Sequence, residues 1–259
     1  NITQIIDSSQ TQTAKTTNYT YDDLHRLLTA SISNSVAENV DGPENSNQTQ
    51  SFTYDAIGNI LTKSDVGTYS YDGNQGNSYA NPHAVTGAGG INYDYDNNGN
   101  LISAGSPMGL VPVTYAWDYN NHLTSVTNGD SIFSYAYDAN GQRIKSVESG
   151  GTSIYLTKDY SVTPQGEEKH IFLGDTAIAT ISGSNETAVP YLIHADHLAG
   201  SSVITDSTQA VDELTDYYAF GSLRIDQQNS SHLEKRKYTG HEFDTDTGLT
   251  YANARYYYA

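Results

Sequence analysis

Five eight-residue segments of this 259-residue chain align without gaps, and this repeat limits the possible folds more than any other feature. Each segment begins with an aromatic residue followed by aspartate: Tyr21-Asp22, Tyr54-Asp55, Tyr95-Asp96, Trp117-Asp118 and Tyr137-Asp138. A further aromatic residue lies two positions before each segment. Because residues i and i+2 point to the same face of a strand, the repeat predicts β-strands that carry an aromatic face.

The later columns of the repeat predict a turn and a return strand. The fifth column contains residue types that tolerate a positive φ, namely His25, Gly58, Gly99, Asn121 and Gly141. The aspartate before them is suited to accept hydrogen bonds from turn amides. The seventh column is aliphatic in four segments and Arg143 in the fifth. The repeat therefore predicts five tandem β-hairpins.

Composition supports an all-β fold with little or no helix. The chain contains 22 Tyr against 5 Phe and 1 Trp, and its hydrophobic fraction is 36%. Typical globular domains reach about 45–50%, so tyrosine rings have to supply much of the buried bulk. No segment of helical length has a convincing 3.6-residue apolar period.

We predict tandem repeats over residues 1–150 and a β-meander over 151–259, continuous with the repeats as one sheet. The stretch around 35–48 is predicted to be a variable loop.

Charge and cysteine content exclude several classes of protein. Twelve Lys and Arg against thirty Asp and Glu give a net charge of −18, so a nucleic-acid binder that works through a basic patch is not expected. The absence of cysteine excludes disulfides and thiolate metal sites. No apolar run is long enough to insert into a membrane. The first residue is Asn1 and no leader pattern follows, so the chain is expected to be a piece of a longer protein.

The second half contains more specific motifs. The segment from His194 to Ser201 reads His-Ala-Asp-His-Leu-Ala-Gly-Ser, and Tyr218-Ala-Phe-Gly221 follows it. Near the end are Tyr238-Thr-Gly240-His241-Glu242, Asp246-Thr-Gly248-Leu249 and Ala254-Arg255-Tyr256-Tyr257. Together with the Tyr-Asp repeats, these motifs resemble the RHS/YD-repeat family and its repeat-associated core. The resemblance covers nearly the whole chain.

The resemblance implies a β-ribbon that spirals into a hollow shell, as in bacterial RHS toxins, the cocoon component of Tc toxins and teneurins. We therefore expect a structural segment of a secreted or surface protein, whose partners are further shell repeats and an enclosed cargo. The alternative is an adhesion or glycan-binding module of the teneurin type. Because the family pattern continues with Asp-Pro where this chain has Tyr258-Ala259, the self-cleavage site and the cargo are expected to lie outside it.

Four local patterns could carry chemistry. His194, Asp196 and His197 could bind a metal, but the two histidines lie on opposite faces of an extended strand, and we expect buried hydrogen-bonding roles instead. The segment 94–100 resembles the opening of a calcium loop, but Gly105 occupies the position of its last acidic ligand, so a hairpin is expected. The run 235–237 of Lys-Arg-Lys is interpreted as a solvated strand entry, and His241-Glu242 as a structural pair.

No catalytic motif is recognisable. The chain has no Gly-x-Ser-x-Gly elbow and no glycine-rich phosphate loop followed by a helix. We therefore predict that the chain is not an enzyme and uses neither a metal nor a cofactor. The residues singled out above, including Gly221, Gly240, Gly248 and Arg255, are predicted to have structural roles.

Overall fold

The structure is a computed structural model that describes residues 1–8, 15–34, 48–73, 81–105, 111–184 and 188–259. The chain divides into two compact units, Asn1–Pro112 and Val113–Ala259. Within the described ranges there is no α-helix, and the single helical element is a three-residue 3₁₀ turn at Tyr238–Gly240. The predicted all-β class is therefore confirmed. The division near residue 150 remains a prediction, and most of the predicted loop at 35–48 lies outside the described residues.

The described part of the first unit contains nine strands, and each pairs antiparallel with the next along the chain. They are β1 (Gln4–Asp7), β2 (Lys15–Tyr21), β3 (Leu27–Asn34), β4 (Gln48–Tyr54), β5 (Ile60–Lys63), β6 (Gly67–Ser70), β7 (Gly87–Ala88), β8 (Ile91–Tyr95) and β9 (Leu101–Ala104).

Among its described residues, the second unit contains a meander of twelve strands and a small three-stranded sheet. The meander strands are β10 (Val113–Trp117), β11 (Leu123–Asn128), β12 (Ser131–Tyr137), β13 (Arg143–Glu148), β14 (Gly151–Thr157), β15 (Tyr160–Thr163), β16 (Gly166–Leu173), β17 (Thr176–Ser182), β18 (Val189–Ala195), β19 (Ser201–Thr205), β20 (Val211–Tyr217) and β21 (Leu223–Gln228). The small sheet contains β22 (Glu242–Asp244), β23 (Leu249–Ala252) and β24 (Arg255–Tyr257). Leu249 lies in the same core cluster as Leu123, Val126 and Phe133.

Each Tyr-Asp segment forms a tight turn that its aspartate organises. The Oδ1 atom of each aspartate accepts two amide hydrogen bonds, from the residues two and four positions later, at 2.8–3.0 Å. The residue in the fifth column has a positive φ in all five segments, between 62° and 98°. These hydrogen bonds keep the carboxylates ionised, and the pKa of Asp118, for example, lies below its ordinary value because the His122 amide donates to it.

The two strands that flank each of these turns show the same irregularity in their pairing, next to the turn. The aromatic residue of the first column pairs with the seventh column, as in Tyr21↔Leu27, Tyr54↔Ile60 and Tyr137↔Arg143. A register shift of the β-bulge type immediately precedes it. Since a bulge increases the local right-handed twist, each of these hairpins adds two strands together with a local increase in twist.

Among the described residues, the same turn recurs at four positions that the sequence repeat does not reveal. Its two backbone hydrogen bonds are also present in the turns that begin at Asp196, Asp206, Tyr218 and Lys237. Left-handed residues lie at the corresponding positions, Ala199, Gln209, Gly221 and Gly240. The motif that appeared in the sequence to mark a separate core is thus partly built from the same hairpin.

The first-column tyrosines also explain why the chain uses tyrosine instead of phenylalanine. Each of the four donates its hydroxyl to a backbone carbonyl, Tyr21 to Ile2 at 2.7 Å and Tyr95 to Val85 at 2.9 Å. Tyr54 and Tyr137 donate to the residue that begins the return strand of an earlier hairpin. Tyr71 and Tyr217, which lie outside the five segments, do the same. The pairs are Tyr54 to Leu27 at 2.8 Å, Tyr71 to Ile60 at 2.9 Å, Tyr137 to Leu123 at 2.8 Å and Tyr217 to Ser201 at 3.0 Å. Each ring of these four pairs therefore ties one hairpin to the one before it.

We expect Tyr54→Phe to lower the free energy of unfolding by about 1 kcal/mol, because the Leu27 carbonyl loses its hydroxyl donor while the ring stays in place. The matched control is Tyr119→Phe, since Tyr119 is 91% exposed and should tolerate the change. Denaturant unfolding of the two variants measures the difference. Equal stability of both would show that the hydroxyl bond contributes nothing.

Candidate functional site

The segment that contains His194, Asp196 and His197 forms the same hairpin turn as the Tyr-Asp segments. Asp196 accepts the Leu198 and Gly200 amides at 2.8 Å, as in the other turns. Both histidines are exposed, in contrast to the predicted burial, and the His194 ring contacts the Thr205 hydroxyl at 3.1 Å. In the part of the chain that the structure describes, no group of three or more His, Cys, Asp or Glu is arranged to hold a metal ion.

The buried charged side chains of the second unit are concentrated in the segment that follows β21. Residues 232–244, here called the strap, run from β21 to the small sheet and bond to several strands of the meander. Glu234 and Lys237 are each 2% exposed, and Asp244 is fully buried. The interpretation of residues 235–237 as a solvated strand entry is therefore wrong. Acidic partners on the meander strands compensate Lys235 and Lys237, and a short sequence window cannot show such partners. Arg236 is paired with Glu242 at the end of the strap.

Arg143 is the hub that joins β13 to the end of the strap. Its guanidinium donates to Asp244 Oδ2 at 2.6 Å and to Glu242 Oε2 at 2.8 Å. The ring of Tyr251 lies under it, 4.4 Å from Cζ to the centroid. Burial acts to raise the pKa of Glu242, but the charges of Arg143 and Arg236 hold it below the ordinary value. Burial raises the pKa of Asp244 to about 6, although Arg143 opposes the shift.

Two further cations join the strap to the sheet. Lys235 Nζ is paired with Glu148 on β13 at 2.7 Å. Lys237 Nζ contacts the carboxylate of Glu213 on β20 and lies 3.2 Å from Asp226 Oδ1 on β21. The strap therefore bonds to β13 and also to β20 and β21, which lie far from β13 in the strand order. Separation of the strap from the sheet would leave buried acids without their cations.

A chain of neutral and acidic groups links the strap to the middle of the sheet. The Thr180 hydroxyl donates to Glu234, and the His170 ring lies between Thr180 and Ser161 at 3.2 and 3.1 Å. Burial lowers the pKa of His170 to about 4, so the ring is neutral at physiological pH. Burial raises the pKa of the neighbouring Glu168 to about 7, and the charge of Glu234 adds to the shift.

The Glu168→Gln variant should therefore be more stable than the wild type at pH 8. The carboxyl has a folded-state pKa of about 7 against an ordinary 4.5, so folding opposes its ionisation, and the penalty is fully present above pH 7 and decreases as the pH falls towards 4.5. The gain should be up to about 3 kcal/mol at pH 8 and should largely disappear near pH 5. Unfolding curves at both pH values measure it. A gain that is independent of pH would contradict the assigned titration.

A cleft of about 700 Å³ opens beside the strap. Its lining includes Tyr155, Lys158, Phe172, Arg236 and Glu242. The centroid of the Phe172 ring lies 4.3 Å from Lys158 Nζ and 5.6 Å from Arg236 Cζ, so both cations contact the face of an aromatic ring in the cleft. Lys158 is also paired with Asp175 at 3.2 Å, and Arg236 with Glu242 at 3.4 Å. The charges of the cleft are thus matched within the unit.

The remaining motif residues have structural positions. Gly221, Gly240 and Gly248 all have a positive φ, and Arg255 is exposed on β24. Sequence reasoning missed the ionic network of the strap. The signal for it was Arg143 itself, because a cation in an otherwise aliphatic column has to find buried acidic partners.

A tandem hairpin repeat with this turn, bulge and tyrosine bonding defines an antiparallel β-meander built from YD-type repeats. The Teneurin YD-shell family model matches residues 1–259, and the chain therefore belongs to this family. This confirms the family resemblance of the sequence motifs. No helix in the described part of the chain has the length and apolar character required to cross a membrane.

Two Bacillus proteins are similar to the chain over most of its length. The tRNA3(Ser)-specific nuclease WapA of Bacillus spizizenii is 28% identical over 220 residues, which is 80% of this chain and 9% of the relative. The tRNA nuclease WapA of Bacillus subtilis strain 168 is 28% identical over 222 residues, with the same coverage. The chain thus spans about a tenth of the length of these relatives.

A solved structure shows the same fold. The crystal structure of TcdB2-TccC3-Cdc42 superposes with a TM-score of 0.51 at 17% identity, and it covers 98% of this chain and 16% of the solved chain. At this identity the likeness concerns the fold alone.

The prediction that the chain is not an enzyme is contradicted, because its curated relatives are named as tRNA nucleases. The prediction rested on the absence of a serine elbow and of a phosphate loop. RNA cleavage requires neither motif, since general acids and bases such as histidine, glutamate and lysine are sufficient for it. The absence of those motifs was therefore no evidence against this chemistry.

Proposed function

We propose that this chain forms part of the wall of a YD shell in a longer extracellular polypeptide that encloses a toxin. The observation that carries the proposal is the bulged, tightly turned hairpin that recurs throughout both units. A unit that adds strands and twist by one rule is suited to build a wall without a deep aliphatic core. The family assignment and the likeness in fold support it. Its partners would be other segments of the same polypeptide.

A chimera tests the proposal. The matched 222 residues of the Bacillus subtilis relative are replaced by this chain, and the purified chimera is examined by limited proteolysis and electron cryomicroscopy. We expect a closed, protease-resistant shell in which the grafted strands are part of the wall. The matched control carries Arg143→Met in the graft and should be cleaved faster. A chimera with an open or degraded wall, alongside an intact native protein, would contradict the proposal.

We further propose that the polypeptide to which this segment belongs cleaves tRNA. The names of the curated relatives support this activity. Total tRNA is incubated with this chain and, separately, with the chimera, and the products are separated on denaturing gels. The rest of the chimera is the relative's own tRNA nuclease, so the chimera is the positive control. Cleavage by this chain alone supports the proposal, and intact tRNA with this chain beside cleavage by the chimera contradicts it.

The adhesion alternative has less structural support. Glycan binding by aromatic residues requires accessible rings, whereas the first-column tyrosines are half-buried and several bond to backbone carbonyls. A glycan array probed with the full chain distinguishes the shell-wall function from the adhesion function. Saturable binding of a defined glycan would favour the adhesion module.

A further inference from the structure

Lys237 occupies an unusual position among the lysines of the strap and sheet. Its Nζ atom is in contact with the Glu213 carboxylate, 3.2 Å from Asp226 Oδ1 and 3.5 Å from the Thr215 hydroxyl. Lys237 and Thr215 are each 2% exposed, and Glu213 is fully buried. A primary amine and a carboxyl are therefore in contact in a dry site, and a second carboxylate lies within hydrogen-bonding distance of the amine.

The Glu213 carboxyl is held by two donors besides the lysine. The Thr215 hydroxyl donates to Oε1 at 2.9 Å, and the backbone N–H of Glu234 donates to Oε2 at 3.3 Å. Donors in this arrangement would stabilise negative charge on the oxygen of a tetrahedral intermediate formed at the carboxyl carbon. Nucleophile, proton acceptor, electrophile and oxyanion donor thus converge on one point.

We propose that Lys237 and Glu213 form an intramolecular amide bond that fastens the strap covalently to β20, with Asp226 as the proton carrier. The proposal concerns a modification of the chain itself and does not depend on the function proposed above.

The reaction is a balanced condensation. Asp226 takes one proton from the Lys237 ammonium and delivers it to Glu213 Oε1, which makes the carboxyl an acid. The neutral amine then attacks the Glu213 Cδ atom, and the charge that develops on Oε2 is held by the Glu234 N–H. Asp226 transfers a second proton from the nitrogen to Oε1, the Cδ–Oε1 bond breaks and water leaves. The products are one amide, one water and Asp226 in its original carboxylate form.

Physical conditions at the site favour the bond. Burial of an ammonium and a carboxylate carries a large desolvation cost, and an amide removes both charges. Groups held in contact react with effective concentrations far above any in solution, reaching about 10⁵ M or more in well-oriented cases. The bond would close a loop between positions 24 apart in sequence, as a disulfide does in chains with cysteine. This chain has no cysteine.

The neighbouring ion pair provides a natural comparison. Lys235 contacts Glu148 at 2.7 Å, but the two side chains are 16% and 10% exposed, and no second carboxylate is placed on that amine by a described ion pair. Lys235 therefore lacks the dryness and the proton carrier, and the Lys235→Met variant serves as the control.

Mass spectrometry of the full-length chain tests the proposal. Under denaturing conditions we expect a mass about 18 Da below that of the sequence, the mass of one water. Trypsin should release a branched peptide in which residues 170–224 are joined to residues 237–255 through Glu213 and Lys237. Lys237→Met and Glu213→Ala should restore the full mass, and Lys235→Met should keep the deficit. Asp226→Asn, with its fold confirmed by circular dichroism, should lose the deficit or form it many times more slowly.

Two results would overturn the proposal. One is a wild-type chain that is folded and has the full sequence mass. The other is a deficit that persists in Lys237→Met, or a branched peptide that joins Lys237 to Asp226 and not to Glu213. Because the first measurement is made on the wild type, the proposal remains falsifiable even if a variant fails to fold.

Discussion

We expect the Arg143→Met variant to lose about 3–5 kcal/mol of unfolding free energy at pH 8, the largest loss of any single substitution considered, because it leaves Glu242 and Asp244 buried without their main cation. The loss should be smaller near pH 5, because Asp244, with a pKa of about 6, is then largely neutral in the folded protein. Urea unfolding at the two pH values measures both effects.

Two further variants separate charge from geometry at this site. Arg143→Lys keeps the charge but cannot donate to both carboxylates through a planar guanidinium. Its free energy of unfolding should therefore lie between those of the wild type and of Arg143→Met. Arg255→Met removes a cation that is exposed on β24, and its effect should stay within about 0.5 kcal/mol. If Arg143→Met and Arg255→Met were equally stable, the hub assignment would be wrong.

The second large effect is expected for Gly221→Ala. Gly221 has a φ of +94°, and a Cβ atom there would overlap the ring of Tyr238. Left-handed strain contributes about 1 kcal/mol and overpacking a further 1–3 kcal/mol, for a total loss of roughly 3 kcal/mol. Thermal and urea unfolding of the variant provide the measurement.

The chain offers a matched control for this substitution. Gly58 has a φ of +98° at the same position of its own turn, and a Cβ atom there would meet nothing within 4 Å. Gly58→Ala should therefore show the strain alone, about 1 kcal/mol. Removal of the ring in the double variant Gly221→Ala/Tyr238→Ala should recover part of the loss. Equal losses at Gly58 and Gly221 would mean that contact with Tyr238 is unimportant.

The hairpins could be predicted from the sequence because their determinants are local. Asp22 accepts hydrogen bonds from amides only two and four residues away. His25 and Gly58 are residue types that favour the left-handed conformation, so the turn can be predicted from the sequence. The turns at Asp196 and Asp206 use the same bonds but lack the aromatic first column, so the repeat pattern missed them. Where the side-chain signal is lost, the same backbone turn is invisible in sequence.

The strap could not be predicted, because its partners are far away in sequence. Arg143 bonds to Asp244 and Glu242 across about a hundred residues, and Lys237 bonds to Glu213 from a different hairpin. Local pattern alone made Lys237 part of a solvated charge run. The carboxylates of Glu213 on β20 and Asp226 on β21 become visible as partners of Lys237 only when the strands are placed in the sheet.

The central claim is that the strap is an integral part of the second unit, held there by buried charge. Hydrogen–deuterium exchange of the full chain tests it most directly. We expect the amides of Lys237 and Phe243, which donate within the strap to the carbonyls of His241 and Lys235, to exchange as slowly as those of β13 and β20. Exchange of the strap amides orders of magnitude faster than those strands, with the strands still protected, would contradict it.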